Sequence, residues 1–367
     1  MLDKLVINGY RGIKDLELGK LGKINIIAGE NNTGKTSILE VIESLERPNS
    51  LRTWRLIGRR EGNSIRVVTN LYDTMKSIFP INNDGNETEI SYSGIFNNDE
   101  FSVKLNGKIS DEILSEFELR TINGYSRMNA SEYEEDIDSH EYESAVLEIK
   151  YTVDGQNCGN DKVYAIQRSF PKDNSKSVSI VDNVIYVSPT QHANNNFYLN
   201  SLVSDPQMYQ EFVEIMKQFD PDFVSINLVE EEKSFSRKYV ILSKKNKEGL
   251  LLNAYGDGMK KAILLLSAVI RAKGGILLLD EFETAIHVSI MGDVFKWIIE
   301  TAVKLDVQIF MTSHSIEAIS EVLKCCPNLQ KDIRMITLVR AEDDIKVRNV
   351  DAVKAIQMMD EYGLELR

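Results

Sequence analysis

The sequence predicts an α/β fold with a mainly parallel core sheet and an antiparallel β-rich lobe, on three observations. A Gly-rich octapeptide, Gly29-Glu30-Asn31-Asn32-Thr33-Gly34-Lys35-Thr36, joins a short apolar strand to a helix-forming run. Two later runs, Ile276-Leu277-Leu278-Leu279 and Val307-Gln308-Ile309-Phe310-Met311, are almost continuously apolar, as parallel strands covered on both faces are. Between the octapeptide and these runs lies a stretch of apolar–polar alternation punctuated by Asn/Asp/Gly turns, the pattern of antiparallel hairpins.

The first zone is residues 1 to 46. Leu5-Val6-Ile7 reads as a strand and Gly9-Tyr10-Arg11-Gly12 as a turn. A buried strand over Leu21–Ala28 leads into the octapeptide, and Thr36–Leu45 reads as a helix. The octapeptide fits G-x-x-x-x-G-K-[ST], the phosphate-cradling P-loop. A strand, a glycine loop and a helix start in that order aim the backbone N–H groups of Gly29, Asn31, Asn32, Thr33, Gly34 and Ser37 at a polyphosphate. Lys35 is placed to reach the β- and γ-phosphates, and the Thr36 hydroxyl to hold Mg²⁺. A chance match in a Gly/Asn turn is the bland alternative, and the flanking strand and helix weigh against it. The expected ligand is a nucleoside triphosphate, ATP, with Mg²⁺.

Residues 47 to 183 form an inserted, β-rich zone. Glu89–Ser93, Phe101–Leu105 and Ala145–Tyr151 alternate, with turns at Asn83-Asp84-Gly85 and Asp154-Gly155. Asp111–Leu119 is predicted to be helical, and the acidic stretch Glu132–Glu143 to be an exposed loop. From 184 to 367 the chain returns to α/β. Val184–Val187 is a strand ended by Ser188-Pro189, and Pro206–Phe219 is an amphipathic helix stopped at Asp220-Pro221. The three zones read as one domain spanning 1–367.

A P-loop needs a carboxylate from a second strand to complete its metal site. Ile276–Leu279 supplies one, because Asp280 and Glu281 emerge at its C-terminal end, where open α/β sheets hold ligands. Asp280 is the candidate metal ligand. Glu281 is placed to orient and deprotonate an attacking water. An ordinary strand with an acidic helix cap is the alternative.

Composition bounds the rest. The chain has 367 residues, 43% hydrophobic and 27% charged, with net charge −13. Such an acidic balance argues against a surface that binds nucleic acid throughout. Arg47, Arg52, Arg55, Arg59, Arg60 and Arg66 crowd around Trp54 as a local exception. A solvated helix face is the favoured reading, with a nucleic-acid contact or an acidic partner's docking site as alternatives. No apolar run is long enough to span a bilayer, and Asp3 and Lys4 beside alternating apolar residues read as a strand rather than a signal peptide. Three cysteines make neither a disulfide framework nor a zinc site, so the expected compartment is cytoplasmic.

Most of the chain separates Lys35 from Asp280. A separation filled with β-rich sequence resembles the ATP-binding-cassette branch of P-loop ATPases, which includes SMC, Rad50, RecF and OLD-type proteins. Leu252-Asn253-Ala254-Tyr255-Gly256-Asp257-Gly258-Met259-Lys260-Lys261 resembles that superfamily's signature motif. Glu283-Thr284-Ala285-Ile286-His287 is similar to its D-loop, with Thr284 and Ala285 where relatives often carry Asn-Gly. Thr312-Ser313-His314-Ser315 resembles the switch-histidine motif, although a plain capping histidine is the simpler alternative. Asn8–Ile13 resembles the segment whose arginine, here Arg11, approaches the nucleotide. Gln191, after Ser188-Pro189-Thr190, is the candidate Q-loop metal ligand. The ending Gly363-Leu364-Glu365-Leu366-Arg367 is similar to the close of "AAA-15" ATPases, and this likeness implies an ATPase without its own nuclease domain.

The resemblance implies an ABC-type P-loop ATPase head with a helical signature subdomain. It implies that Gly256 and Gly258 touch the γ-phosphate held by a second copy's P-loop, so that ATP is sandwiched in a homodimer or higher homo-oligomer. It further implies a separate effector protein, a nuclease, and a phage protein as trigger, in bacterial anti-phage defence. A RecF-like DNA-binding repair ATPase is the alternative, which the acidic charge does not favour. A scaffold gated by ATP without hydrolysis is a third reading.

Overall fold

The computed structural model describes residues 1–59, 70–80, 86–124, 140–169, 177–194, 197–230, 237–246, 248–341 and 344–362. Strands β1 (Leu2–Gly9) and β2 (Leu16–Gly19) pair antiparallel around the Tyr10–Ile13 turn. Next come β3 (Ile24–Gly29), the glycine loop and α1 (Lys35–Ser44), then α2 (Leu51–Arg59) and α3 (Leu71–Ile78). A long meander follows, β4 (Glu87–Phe96), β5 (Asp99–Ser115), α4 (Glu116–Ile122), β6 (Glu141–Val153) and β7 (Gln156–Tyr164). After β8 (Val184–Val187) the chain makes α5 (Leu199–Val203) and α6 (Pro206–Phe219). A small sheet of β9 (Phe223–Glu230), β10 (Arg237–Ser243) and β11 (Leu250–Leu251) precedes α7 (Asp257–Arg271). The remainder is β12 (Ile276–Leu279), α8 (Val288–Lys304), β13 (Gln308–Ser313), α9 (Ile316–Lys324), β14 (Ile333–Ala341), β15 (Asp344–Asp351) and α10 (Ala352–Tyr362).

The core sheet has the order β15-β14-β3-β13-β12-β8, parallel except for β15. Its apolar runs are continuous because both faces are covered. Alternate residues serve two cores. Leu277, Leu279, Ile309 and Met311 join the core that includes α7 and α8. Ile276, Leu278 and Phe310 join the core shared with α1, α2 and the antiparallel sheet. Because β3, β12 and β13 run the same way, their C-terminal ends open on one edge, and that edge holds the glycine loop, Asp280 and His314.

The antiparallel sheet has the order β2-β1-β4-β5-β6-β7, so it borrows its first two strands from before the glycine loop. The Asp154-Gly155 turn is present, with both residues at positive φ (49° and 74°), as a two-residue hairpin requires. Asn97 and Asn98 make a second such turn (φ 51° and 70°) that the sequence reading passed over. The predicted Asp111–Leu119 helix is corrected. Residues Asp111–Ser115 remain in β5, each paired with a residue of Glu141–Ala145, and the helix starts only at Glu116. Cross-strand pairing outweighs local helix preference there, and Ser115 with Glu118 forms the capping box that marks the true start. Helix α6 has the predicted bounds, with Asp205 capping its first turn and Pro206 in it. The Asn83–Gly85 turn, Arg60, Arg66, residues 132–139 of the acidic stretch and the Gly363–Arg367 ending lie outside the described residues, while Glu141–Glu143, expected in a loop, begin β6 because they pair with Ile113–Ser115. Among the described residues, no helix is long and apolar enough to cross a membrane.

Candidate nucleotide site

The glycine loop takes its shape from backbone conformations that few side chains tolerate. Asn32 and Gly34 lie at φ 62° and 88°. A Cβ on Gly29 would meet the Leu338 carbonyl at 2.6 Å, so β14 packs directly on the loop's start. Lys35 Nζ donates to the Gly29 and Glu30 carbonyls, both at 2.7 Å, and Thr33 Oγ1 donates to Glu30 O at 2.8 Å. Burial lowers the Lys35 pKa, while Asp280, Glu281 and Glu283 pull it back up.

The structure brings Thr36 to Asp280, with Oγ1 donating to Oδ2 at 3.1 Å. Two hydroxyls from neighbouring strands converge on the same carboxylate. Tyr186 on β8 donates to Oδ2 at 3.0 Å, and Thr312 on β13 donates to Oδ1 at 2.6 Å. Burial beside the Asp280 charge raises the Tyr186 pKa far above its ordinary value, keeping it a donor. A carboxylate facing a P-loop hydroxyl suits Mg²⁺, which is commonly held by one or two protein oxygens, phosphates and waters. The residues present therefore fit the ion.

Glu281 sits at φ 44°, a left-handed conformation unfavourable for its side chain. Its N–H donates to Thr312 Oγ1 at 2.8 Å, and Phe282 N–H to Thr312 O at 3.1 Å, so β13 holds the turn. His314, just past β13, stands with Nε2 3.7 Å from Glu281 Oε1. Its own N–H donates to Glu283 Oε1 at 2.9 Å. A cavity of about 620 Å³ gathers Asn31 through Ser37, Glu281 and His314 with Arg11, Gly12, Ile13, Arg340 and Ile345. That volume is in the range of small-molecule sites.

Arg11 reaches this cavity from the β1–β2 turn. Its Nε donates to Glu40 Oε2 at 2.9 Å, and Tyr10 OH donates to the same oxygen at 2.9 Å. Three sequence candidates stand apart from the cavity. Gln191 accepts from Ser188 N–H and donates to Tyr198 OH, both at 3.4 Å, and does not line the cavity. The strand before it contributes Tyr186 instead. Gly256 caps α7 and Gly258 lies in its first turn, and neither lines the cavity. A Cβ on Gly256 would meet nothing within 4 Å, while one on Gly258 would meet Ala285 O at 3.0 Å. Ala285 itself lies at φ 68°, a left-handed conformation that glycine adopts more readily than alanine.

Sequence reasoning missed Tyr186, Glu40, Arg340 and Ile345, and named Thr312 without a role. Lys261 ends the signature-like segment Leu252–Lys261. It is wholly buried on α7, its Nζ 3.4 Å from Pro189 O, and burial lowers its pKa to about 8 against the pull of Glu283, Asp280 and Glu281.

Known proteins resemble this chain in sequence and in shape. The chain is 22% identical over 354 residues to a Helicobacter pylori protein named ATP/GTP phosphatase, covering 88% of this chain and 89% of that one. A shorter match, 52% identical over 42 residues, links 11% of the chain to 19% of protein MJECL10 of Methanocaldococcus jannaschii. In shape it matches the SmcHead crystallised with the C-winged helix domain of ScpA, with TM-score 0.54 and 13% identity over 97% of this chain and 99% of that one. That likeness is one of fold, the ABC-type P-loop head. The family described as "AAA domain, putative AbiEii toxin, Type IV TA system" matches residues 24–320, which hold the glycine loop, Asp280, Glu281 and His314, and the chain belongs to that family of AAA ATPases.

Proposed function

We propose that the chain binds ATP with Mg²⁺ on its glycine loop and hydrolyses it, with Glu281 as general base and His314 beside the γ-phosphate. The observation that carries this reading is the meeting of Glu281 and His314 at the rim of the P-loop cavity. Mg²⁺, when bound, supplies charge neutralisation at the phosphates. Thr36 and Asp280 hold it, and Tyr186 and Thr312 fix the carboxylate. Lys35 places a point charge on the phosphates, and the strained Glu281 turn presents its carboxylate to the water. The name ATP/GTP phosphatase carried by the Helicobacter relative supports hydrolysis. Wild type against Glu281→Gln tests it. The variant is expected to keep nucleotide affinity and lose turnover by roughly 10²–10⁴-fold. No measurable wild-type turnover would sink the hydrolase.

The working unit in this reading is an ATP-sandwiched homodimer in the cytoplasm, controlling a separate nuclease effector in anti-phage defence. The open N-terminus of α7 supports it, since its first-turn N–H groups have no side-chain cap. The family description, which names a toxin system, is in keeping with a defence setting. Gly258→Trp is expected to leave ATP binding intact and abolish pairing driven by a slowly hydrolysed analogue in sedimentation. A DNA-binding repair ATPase has one observation in its favour. Arg55 on α2 has its pKa lowered by burial and by Arg59 and Arg52, a local concentration of positive charge. ATPase activity stimulated by DNA would favour that second reading.

A further inference from the structure

The cavity has two ends, and strand order sets them. The glycine-loop strand β3 lies between β14 and β13. Glu281 and His314 follow β12 and β13, on one side of β3. Arg340 and Ile345, paired with each other across the β14–β15 hairpin, lie on the other side. All four line the same cavity. A triphosphate seated on the loop with its terminal phosphoryl at Glu281 and His314 therefore sends its nucleoside toward Arg340 and Ile345. This step rests on the nucleotide reading above.

We infer that Arg340, with Ile345 and Ile13, is the nucleobase clamp, and that it accepts adenine and guanine with little discrimination. The wall on that side is apolar. A Cβ on Gly34 would lie 3.0 Å from Ile13 Cδ1 and 3.7 Å from Ile345 Cδ1, so both isoleucines close over the loop. Arg340 is exposed, and among the described residues its side chain has no hydrogen bond or ion pair. A planar guanidinium with no partner is free to lie flat against a π-face. Stacking between a cationic plane and aliphatic side chains recognises a base by its face, which adenine and guanine share. Arg11, the other arginine of the cavity, is committed to Glu40 and so is not available for that role.

Calorimetric titration with magnesium chloride present tests the clamp, using ATP, GTP and tripolyphosphate against wild type, Arg340→Ala and Arg340→Lys. Wild type is expected to bind ATP and GTP within about threefold of each other. Arg340→Ala should weaken both by about tenfold and leave tripolyphosphate unchanged. Arg340→Lys should not restore the loss, since an ammonium has no plane. Equal weakening of tripolyphosphate, or rescue by lysine, would make Arg340 a phosphate ligand and overturn the clamp. So would unchanged ATP affinity in Arg340→Ala, or a strong wild-type preference between the purines. If wild type binds neither ATP nor tripolyphosphate, the P-loop reading fails and the clamp falls with it.

Discussion

Thr312 ties Asp280 to Glu281: its hydroxyl donates to Asp280 Oδ1 at 2.6 Å and accepts the Glu281 N–H at 2.8 Å. One side chain on β13 thus orients both acids at the end of β12. It also holds Glu281 in its left-handed conformation. The proposed metal ligand and the proposed base thus share one supporting hydroxyl.

Thr312→Val keeps the shape of the side chain and removes both hydrogen bonds. ATP turnover is expected to fall by about 10–100-fold, as losses of supporting contacts to metal ligands do. Nucleotide affinity through Lys35 should change little. Steady-state kinetics with a parallel binding titration checks this, and unchanged turnover would remove Thr312 from the site.

Glu40 is buried and accepts from Tyr10 and twice from Arg11. Glu40→Ala leaves the part-buried Arg11 guanidinium without its carboxylate. Stability should drop by about 3–5 kcal/mol in urea unfolding. Nucleotide affinity should weaken too, because Arg11 lines the cavity. A variant as stable as wild type would show that the pair contributes nothing.

Ala285 carries a Cβ at φ 68° and is exposed. Ala285→Gly removes that strain, partly offset by the greater freedom of glycine in the unfolded chain. A net gain of about 0.5–1 kcal/mol is expected in thermal unfolding. A loss would mean that the left-handed conformation costs the alanine nothing.

Glu43 on α1 is pushed up to about 8 by burial and by the neighbouring charges of Glu40 and Glu46. Between its ordinary value of 4.5 and about 8, the folded chain keeps a proton that the unfolded chain releases. Its contribution to stability is therefore present below 4.5 and lost as pH rises through about 8. Glu43→Gln should make the chain more stable than wild type in urea unfolding at pH 8 and change little at pH 4.5. An equal effect at both pH values would exclude a titrating Glu43.

The sequence by itself determined the parts whose chemistry is local. A P-loop works through backbone N–H groups set by a strand, a glycine turn and a helix start, all within one short segment. Asp280 and His314 were legible because each directly follows a buried apolar strand. Asp111–Ser115 misled because its pairing partners, Glu141–Ala145, come later in the chain.

Only the tertiary structure decided what meets across distance. Thr36 and Asp280 touch although 244 positions separate them. Tyr186 and Glu40 carry no motif, Thr312 lies in one that gives it no role, and their places follow from parallel register and helix packing. Arg340 and Ile345 reach the cavity because β14 happens to flank β3, an order of strands that no local pattern encodes. Periodicity tells each strand which faces are buried. Which strand lies beside it depends on how the whole set packs, and that neighbour completes the site.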